Sequence, residues 1–115
     1  MSRSVELYLR DILDAADAIG AFVGGLGPDD LRDDRKTRDA VVRNLEIIGE
    51  AVKRLPSALL DRWPQVDWAG WSRMRDVVAH QYFGVDVDVI WSAVADELPG
   101  LVAATRSLLE GAGQD

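Results

Sequence analysis

The sequence has no cysteine, a single histidine, four prolines and no long apolar run. Without cysteine, disulfides and thiolate chemistry are excluded, and the classical zinc sites that need thiolates go with them. No stretch approaches the roughly 20 apolar residues that span a bilayer. The opening residues Met1 to Glu6 run into charged amphipathic sequence and not into the apolar core of a signal peptide, so a cytoplasmic protein is expected. An excess of positive charge is also missing. Thirteen Lys and Arg face 20 Asp and Glu, giving a net charge of −7 and a pI near 4.6. A whole-surface basic field for polyanions is therefore excluded, while a local basic pocket or a partner with a basic surface is not. Period-two alternation and hairpin dipeptides are absent as well, which removes the signals of a sheet.

What is present is helical spacing. With 115 residues, 48% hydrophobic and 29% charged, the chain reads as one soluble domain, residues 1–115, large enough for its own core. Val5, Tyr8, Leu9, Ile12, Ala15, Ala16, Ile19, Phe22 and Val23 form one stripe, with Ser4 as N-cap and Gly24-Gly25 as the stop. Gly27-Pro28-Asp29-Asp30 reads as a turn. A second helix is expected from Leu31 or Asp33 to Leu55, carrying Gly49 at mid-helix. Glycine there costs about 1 kcal/mol against alanine, and close helix–helix approach is the plain reason to keep it. Ser57 to Trp63 suits one or two turns between Pro56 and Pro64. Asp67 caps a helix over 68–81, and Gly84 breaks it. A last helix opens at Asp86 or Asp88, and Pro99 should kink or divide it. The tail 111–115 should fray. The sum is an all-α antiparallel bundle of four to five helices.

Few residues carry chemistry. Glu46 and Glu50 share a face but lack a Glu-x-x-His companion, so the plain reading is a solvated or interface face, and no metal or other cofactor is expected. Gly24, Gly25 and Gly27 follow no strand and precede no Lys-Ser/Thr, so they form a turn and not a phosphate loop. Trp63, Trp68, Trp71 and Trp91 suit core packing and an oligomer seam.

The stretch Arg75-Asp76-Val77-Val78-Ala79-His80-Gln81-Tyr82 differs. At 100° per residue, Arg75 and Tyr82 are nearly eclipsed, and Asp76 and His80 share a face. Arg75 and His80 diverge by about 140°, a gap that a long guanidinium arm can close. Arginine binds phosphate oxygens and stabilises transition-state charge. Histidine moves protons near neutrality, and Asp76 could orient the imidazole. In-line transfer at a phosphodiester wants both an acid and a base, which one histidine supplies only if a two-fold dimer brings two copies together. The pattern is permissive, and a lone Arg and His making surface or interface hydrogen bonds fits it too.

Arg75-x-x-x-x-His80-x-Tyr82 resembles the signature of HepT-type ribonucleases of the HEPN superfamily. Val41 to Ala51, Val66-Asp67-Trp68, Tyr82 to Asp86, and Trp91 through Pro99 resemble further family strings, over roughly residues 5–109. The resemblance implies a helical homodimer with paired Arg75 and His80 sites near the two-fold axis. It implies metal-independent RNA cleavage by 2′-OH attack, in the toxin of a type VII toxin–antitoxin pair. It further implies an MntA-like minimal nucleotidyltransferase as antitoxin partner, which silences the toxin by transferring AMP to Tyr82. The sequence departs from the family in one place: Asp76 stands where asparagine is frequent, and its charge would oppose an incoming phosphate. An alternative is a non-catalytic partner module that binds such a transferase. A helical interaction protein without chemistry would leave Arg75, His80 and Tyr82 unexplained.

Overall fold

The structure is a computed structural model that describes residues 2–80 and 86–112, with side chains given through Asp76 and again over 86–111. Every regular element among the described residues is helical. The chain begins with α1 (Arg3–Val23), α2 (Pro28–Asp33) and α3 (Arg35–Lys53), followed by α4 (Ser57–Leu60) and α5 (Trp68–His80). Then α6 (Val87–Ser92) passes through a π-helical segment (Ala93–Glu97) into α7 (Leu98–Ala112). Four long rods result, α1, α3, α5 and the continuous α6–α7, with two short helices between them. The all-α expectation holds. No helix among the described residues is long and apolar enough to cross a membrane.

Local chemistry explains most boundaries. Ser2, not Ser4, caps α1, its hydroxyl accepting from the Val5 N–H at 3.2 Å. The helix stops where Gly25 takes φ of 80°, a left-handed conformation that glycine adopts without steric cost. The expected turn at Gly27–Asp30 is itself the start of a helix. Pro28 sits at its first position, and the Asp30 carboxylate accepts from the Gly27 N–H at 2.8 Å. The second long helix therefore starts later than expected, at Arg35. Asp34 breaks the chain into α2 and α3 because its side chain caps α3, accepting from the Thr37 N–H at 3.2 Å and the Thr37 hydroxyl at 2.7 Å. Arg38 then donates to the Leu31 and Arg32 carbonyls that the break leaves open. Asp67 caps α5 as anticipated, through the Gly70 N–H at 3.0 Å.

Pro99 does not divide the last helix. Its ring would meet the carbonyl four residues back, and it has no N–H to offer. The widened π turn over Ala93–Glu97 lies just ahead of it, with the Leu98 N–H bonded to the Ala93 carbonyl. The helix thus continues through the proline, which stands in the first turn of α7. It reaches Ala112, two residues into the stretch expected to fray.

α1 packs on both α3 and α7, and α3 packs on α5. Leu9, Ile12, Ile19, Leu31, Leu45, Ile48, Ile90, Leu101 and Leu108 are completely buried between them. Trp68 and Trp71 are core residues, as expected, and the Trp68 indole donates to the Trp63 carbonyl at 2.9 Å. Among the described residues Thr105 is the one buried polar side chain, and its hydroxyl donates to the Leu101 carbonyl at 2.7 Å.

Gly49 sets the distance between α3 and α5. A Cβ placed on it would lie 2.7 Å from both the Arg75 Cβ and the Trp71 carbonyl oxygen. One of those neighbours is backbone, so α5 as a whole would have to move. Gly49→Ala should therefore lower the urea midpoint: overpacking costs about 1–3 kcal/mol, against a helix-propensity gain of about 1 kcal/mol. A midpoint that rises would show that the close approach is not required.

Candidate functional site

Arg75 stands on α5 directly over Gly49, so its guanidinium starts from the tightest point of the α3–α5 contact. Two carboxylates hold it. Glu50 of α3 lies 3.4 Å from its Nε, and Asp76 lies 3.1 Å from one of its terminal nitrogens. The same Asp76 oxygen also meets the Lys53 ammonium at 3.0 Å. On the far side, the second oxygen of Glu50 accepts from Arg54 at 3.1 Å. The Arg54 guanidinium carbon lies 5.9 Å from the centre of the Tyr8 ring, at the outer limit of a cation–π contact. One chain of charges thus runs from α1 across α3 to α5: Tyr8, Arg54, Glu50, Arg75, Asp76, Lys53.

These groups remain wet. The Arg75 side chain is 41% exposed and that of Asp76 48%, so the pairs contribute little to stability and chiefly fix direction. Asp76 is held below the usual carboxylate range, first by its hydrogen bond from Lys53 and then by that from Arg75. Arg54 is held further into its charged form, chiefly by Glu50. The Arg75 guanidinium is pinned at Nε and at one terminal nitrogen, and its other terminal nitrogen has no partner among the described residues.

The structure brings Arg75 and Asp76 together through a direct bond. It places the backbone of His80 in the last turn of α5, one turn beyond Asp76; the His80 side chain and Tyr82 lie outside the described residues. Asp76, expected as the orienting group for the imidazole, gives one oxygen to Lys53 and Arg75. Sequence spacing did not indicate Lys53, Arg54 or Tyr8. Tyr8 was visible only as part of an apolar stripe. Glu50 was weighed as a metal ligand, but its two oxygens are engaged with arginines.

A model of the family described as Ribonuclease HepT-like matches residues 12–108. The chain is similar to a probable ribonuclease HepT of Thermococcus cleftensis, with 44% identity over 101 residues that cover 88% of this chain and 92% of the relative. It is similar to a candidate RNase of Methanocaldococcus jannaschii, with 37% identity over 108 residues covering 94% and 89%. A candidate RNase of Caldanaerobacter subterraneus is also 37% identical, over 103 residues covering 90% and 92%. No solved structure gives a significant match.

The charge chain makes a prediction about acid. A carboxylate whose folded pKa is lowered contributes stability above its unfolded pKa, and that contribution is lost as pH falls through the folded value. Replacing Lys53 by Met removes the larger cause of the lowering at Asp76. In a carboxyl-carbon NMR titration the Asp76 midpoint should then move up, with the variant losing stability earlier on acidification. An unmoved midpoint would show that Lys53 and Asp76 do not pair in solution.

Proposed function

The chain belongs to the HepT-like ribonuclease family, and on that premise we propose that it is the toxin of a type VII toxin–antitoxin pair, a metal-independent endoribonuclease. The observation that carries this reading is Arg75, a half-exposed guanidinium fixed in direction by Glu50 and standing five residues before His80 on the same helix. In the proposed reaction the ribose 2′-oxygen attacks the adjacent phosphorus and the bond to the 5′-oxygen breaks. A cyclic phosphate and a free 5′-hydroxyl result. Arg75 stabilises the charge that builds on the phosphoryl oxygens. His80 takes the 2′-OH proton, and the His80 of a second copy protonates the leaving oxygen, so the working unit is a homodimer.

A minimal nucleotidyltransferase of the MntA type is the proposed antitoxin. It would place AMP on Tyr82: the phenol oxygen attacks the α-phosphorus of ATP and pyrophosphate leaves. A phosphate attached seven residues from Arg75, on the same side of an ideal helix, offers the guanidinium a permanent competitor for RNA.

The second reading, a non-catalytic module for such a transferase, draws support from Asp76. It occupies a nitrogen of Arg75 that a phosphate would otherwise take.

Expression without the partner should arrest growth and cleave RNA. Arg75→Ala and His80→Ala should each reduce cleavage about 10²–10⁴-fold. If His80→Ala cuts as fast as wild type, its proton-transfer role is wrong. Mass spectrometry after co-expression with the transferase should find one AMP on Tyr82 and none on Tyr82→Phe. An AMP-bearing chain that never cleaves RNA would select the second reading.

A further inference from the structure

Beside Arg75, between α1 and α3, lies an open recess of about 250 Å³. This is just under the roughly 300–1,000 Å³ of pockets that hold drug-sized ligands, and suits one nucleotide better than several. α1 contributes Tyr8 and Asp11 on successive turns, α3 contributes Arg43, Glu46 and Glu50 with Arg54 as its C-cap, and Arg75 of α5 closes one side. The recess therefore joins an oxyanion-binding cation to flat stacking surfaces and to carboxylates. The larger apolar recess between α5 and α6, lined by Trp71, Met74, Val89 and Ala93, has no cation to hold a phosphate.

The parts have different duties. Arg54 is braced by Glu50 and its guanidinium carbon lies 5.9 Å from the centre of the Tyr8 ring. A guanidinium plane and a phenol ring are the two surfaces on which proteins stack unpaired bases. Of the three carboxylates, Glu50 has both oxygens on arginines, and Glu46 lies 3.6 Å from Arg43. Asp11 is exposed and has no ion pair among the described residues. It is the carboxylate with both oxygens available to a ligand. A carboxylate accepts and cannot donate when ionised, so it selects a base edge made of N–H groups. Guanine presents two adjacent donors, its ring N–H and its amino group, which match the two oxygens of one carboxylate. Adenine and cytosine offer only an amino group, and uracil an imino N–H flanked by two carbonyls.

We propose that this recess is the subsite for the base next to the cleaved phosphate, that Tyr8 and Arg54 stack it, and that Asp11 reads its edge in favour of guanine. The proposal rests on the ribonuclease reading for its substrate and adds a base preference to it. Tyr8 and Asp11 become specificity residues, while Arg75 alone serves both the base subsite and the phosphate.

Two measurements test it on the full chain. In the first, binding of the four nucleoside 2′,3′-cyclic phosphates is followed by NMR without cleavage. The guanosine compound should bind roughly tenfold or more tightly than the others, as one bidentate base contact allows. Asp11→Asn should erase that difference, and because Asp11 is exposed the variant cannot fail merely by unfolding. In the second, cleavage sites are mapped on a single-stranded RNA containing every dinucleotide step. Cuts should cluster beside guanine in the wild type and lose that bias in Asp11→Asn. Tyr8→Leu, which keeps apolar bulk against the core, should raise KM roughly 5- to 100-fold through lost stacking, and Tyr8→Phe should restore it. Equal binding of all four nucleotides, a guanine bias that survives Asp11→Asn, or an unchanged KM in Tyr8→Leu would each overturn the subsite. A chain that binds the guanosine compound through Asp11 but cuts no RNA would leave the subsite standing and sink the nuclease reading.

Discussion

The contact at Gly49 is the constraint on which the rest of the site depends. With hydrogen in place of a side chain there, α5 lies close enough to α3 for the Arg75 Cβ to occupy the space a Cβ of residue 49 would fill. Glu50, the residue after it, and Lys53, one turn further along α3, then reach the Arg75 and Asp76 side chains. Were the two helices held apart by even one methyl group, these pairs would lengthen and the guanidinium would swing on its flexible stem. The glycine's cost in helix propensity is thus offset by the direction it gives to the Arg75 guanidinium, and the tryptophans of α5 secure the same approach by burying their rings in the core.

Above that contact, the charges form a chain in which each carboxylate bridges two cations. Glu50 joins Arg54 to Arg75, and Asp76 joins Arg75 to Lys53. Exposed pairs of this kind contribute little to folding. Their effect is to restrict where long, rotamer-rich side chains point, so that the entropy of ordering them is already spent before a ligand arrives. The acid after Arg75, unusual by resemblance, fits this scheme. It is matched by Lys53, which draws on the same oxygen and so weakens the hold of Asp76 on Arg75.

Much of the fold could be read in the chain. The apolar stripe of α1, the glycine pair after it, the Asp67 cap and the buried tryptophans all followed from spacing and side-chain chemistry, and even Gly49 announced itself as a residue in need of a reason. The break between α2 and α3 did not, because the charged run around Asp34 is compatible with an uninterrupted helix until its carboxylate turns back onto Thr37. Pro99 was visible, but its accommodation by a π turn depends on how the whole rod packs. Of the candidate site, Arg75 and Asp76 were legible because they lie side by side on one short stretch; the His80 side chain and Tyr82, read from the same stretch, lie outside the described residues. Tyr8, Glu50, Lys53 and Arg54 were not, because helix packing brings them there from α1 and α3, and no local period records that.

The carboxylates that pin the arginines also act as built-in counterions. When a simple basic surface binds a nucleic acid, condensed cations are expelled into bulk solution, and affinity falls steeply as salt is added. Here a phosphate arriving at Arg75 must share the guanidinium with Asp76 or displace it. A displaced Asp76 keeps Lys53 as its counterion. With two carboxylates set among Lys53, Arg54 and Arg75, little local positive charge is left to attract a phosphate from a distance, so under the proposed reading salt would screen a weaker attraction than at a bare basic cleft. Binding of RNA there, as proposed, would then be less sensitive to ionic strength than at an ordinary basic cleft.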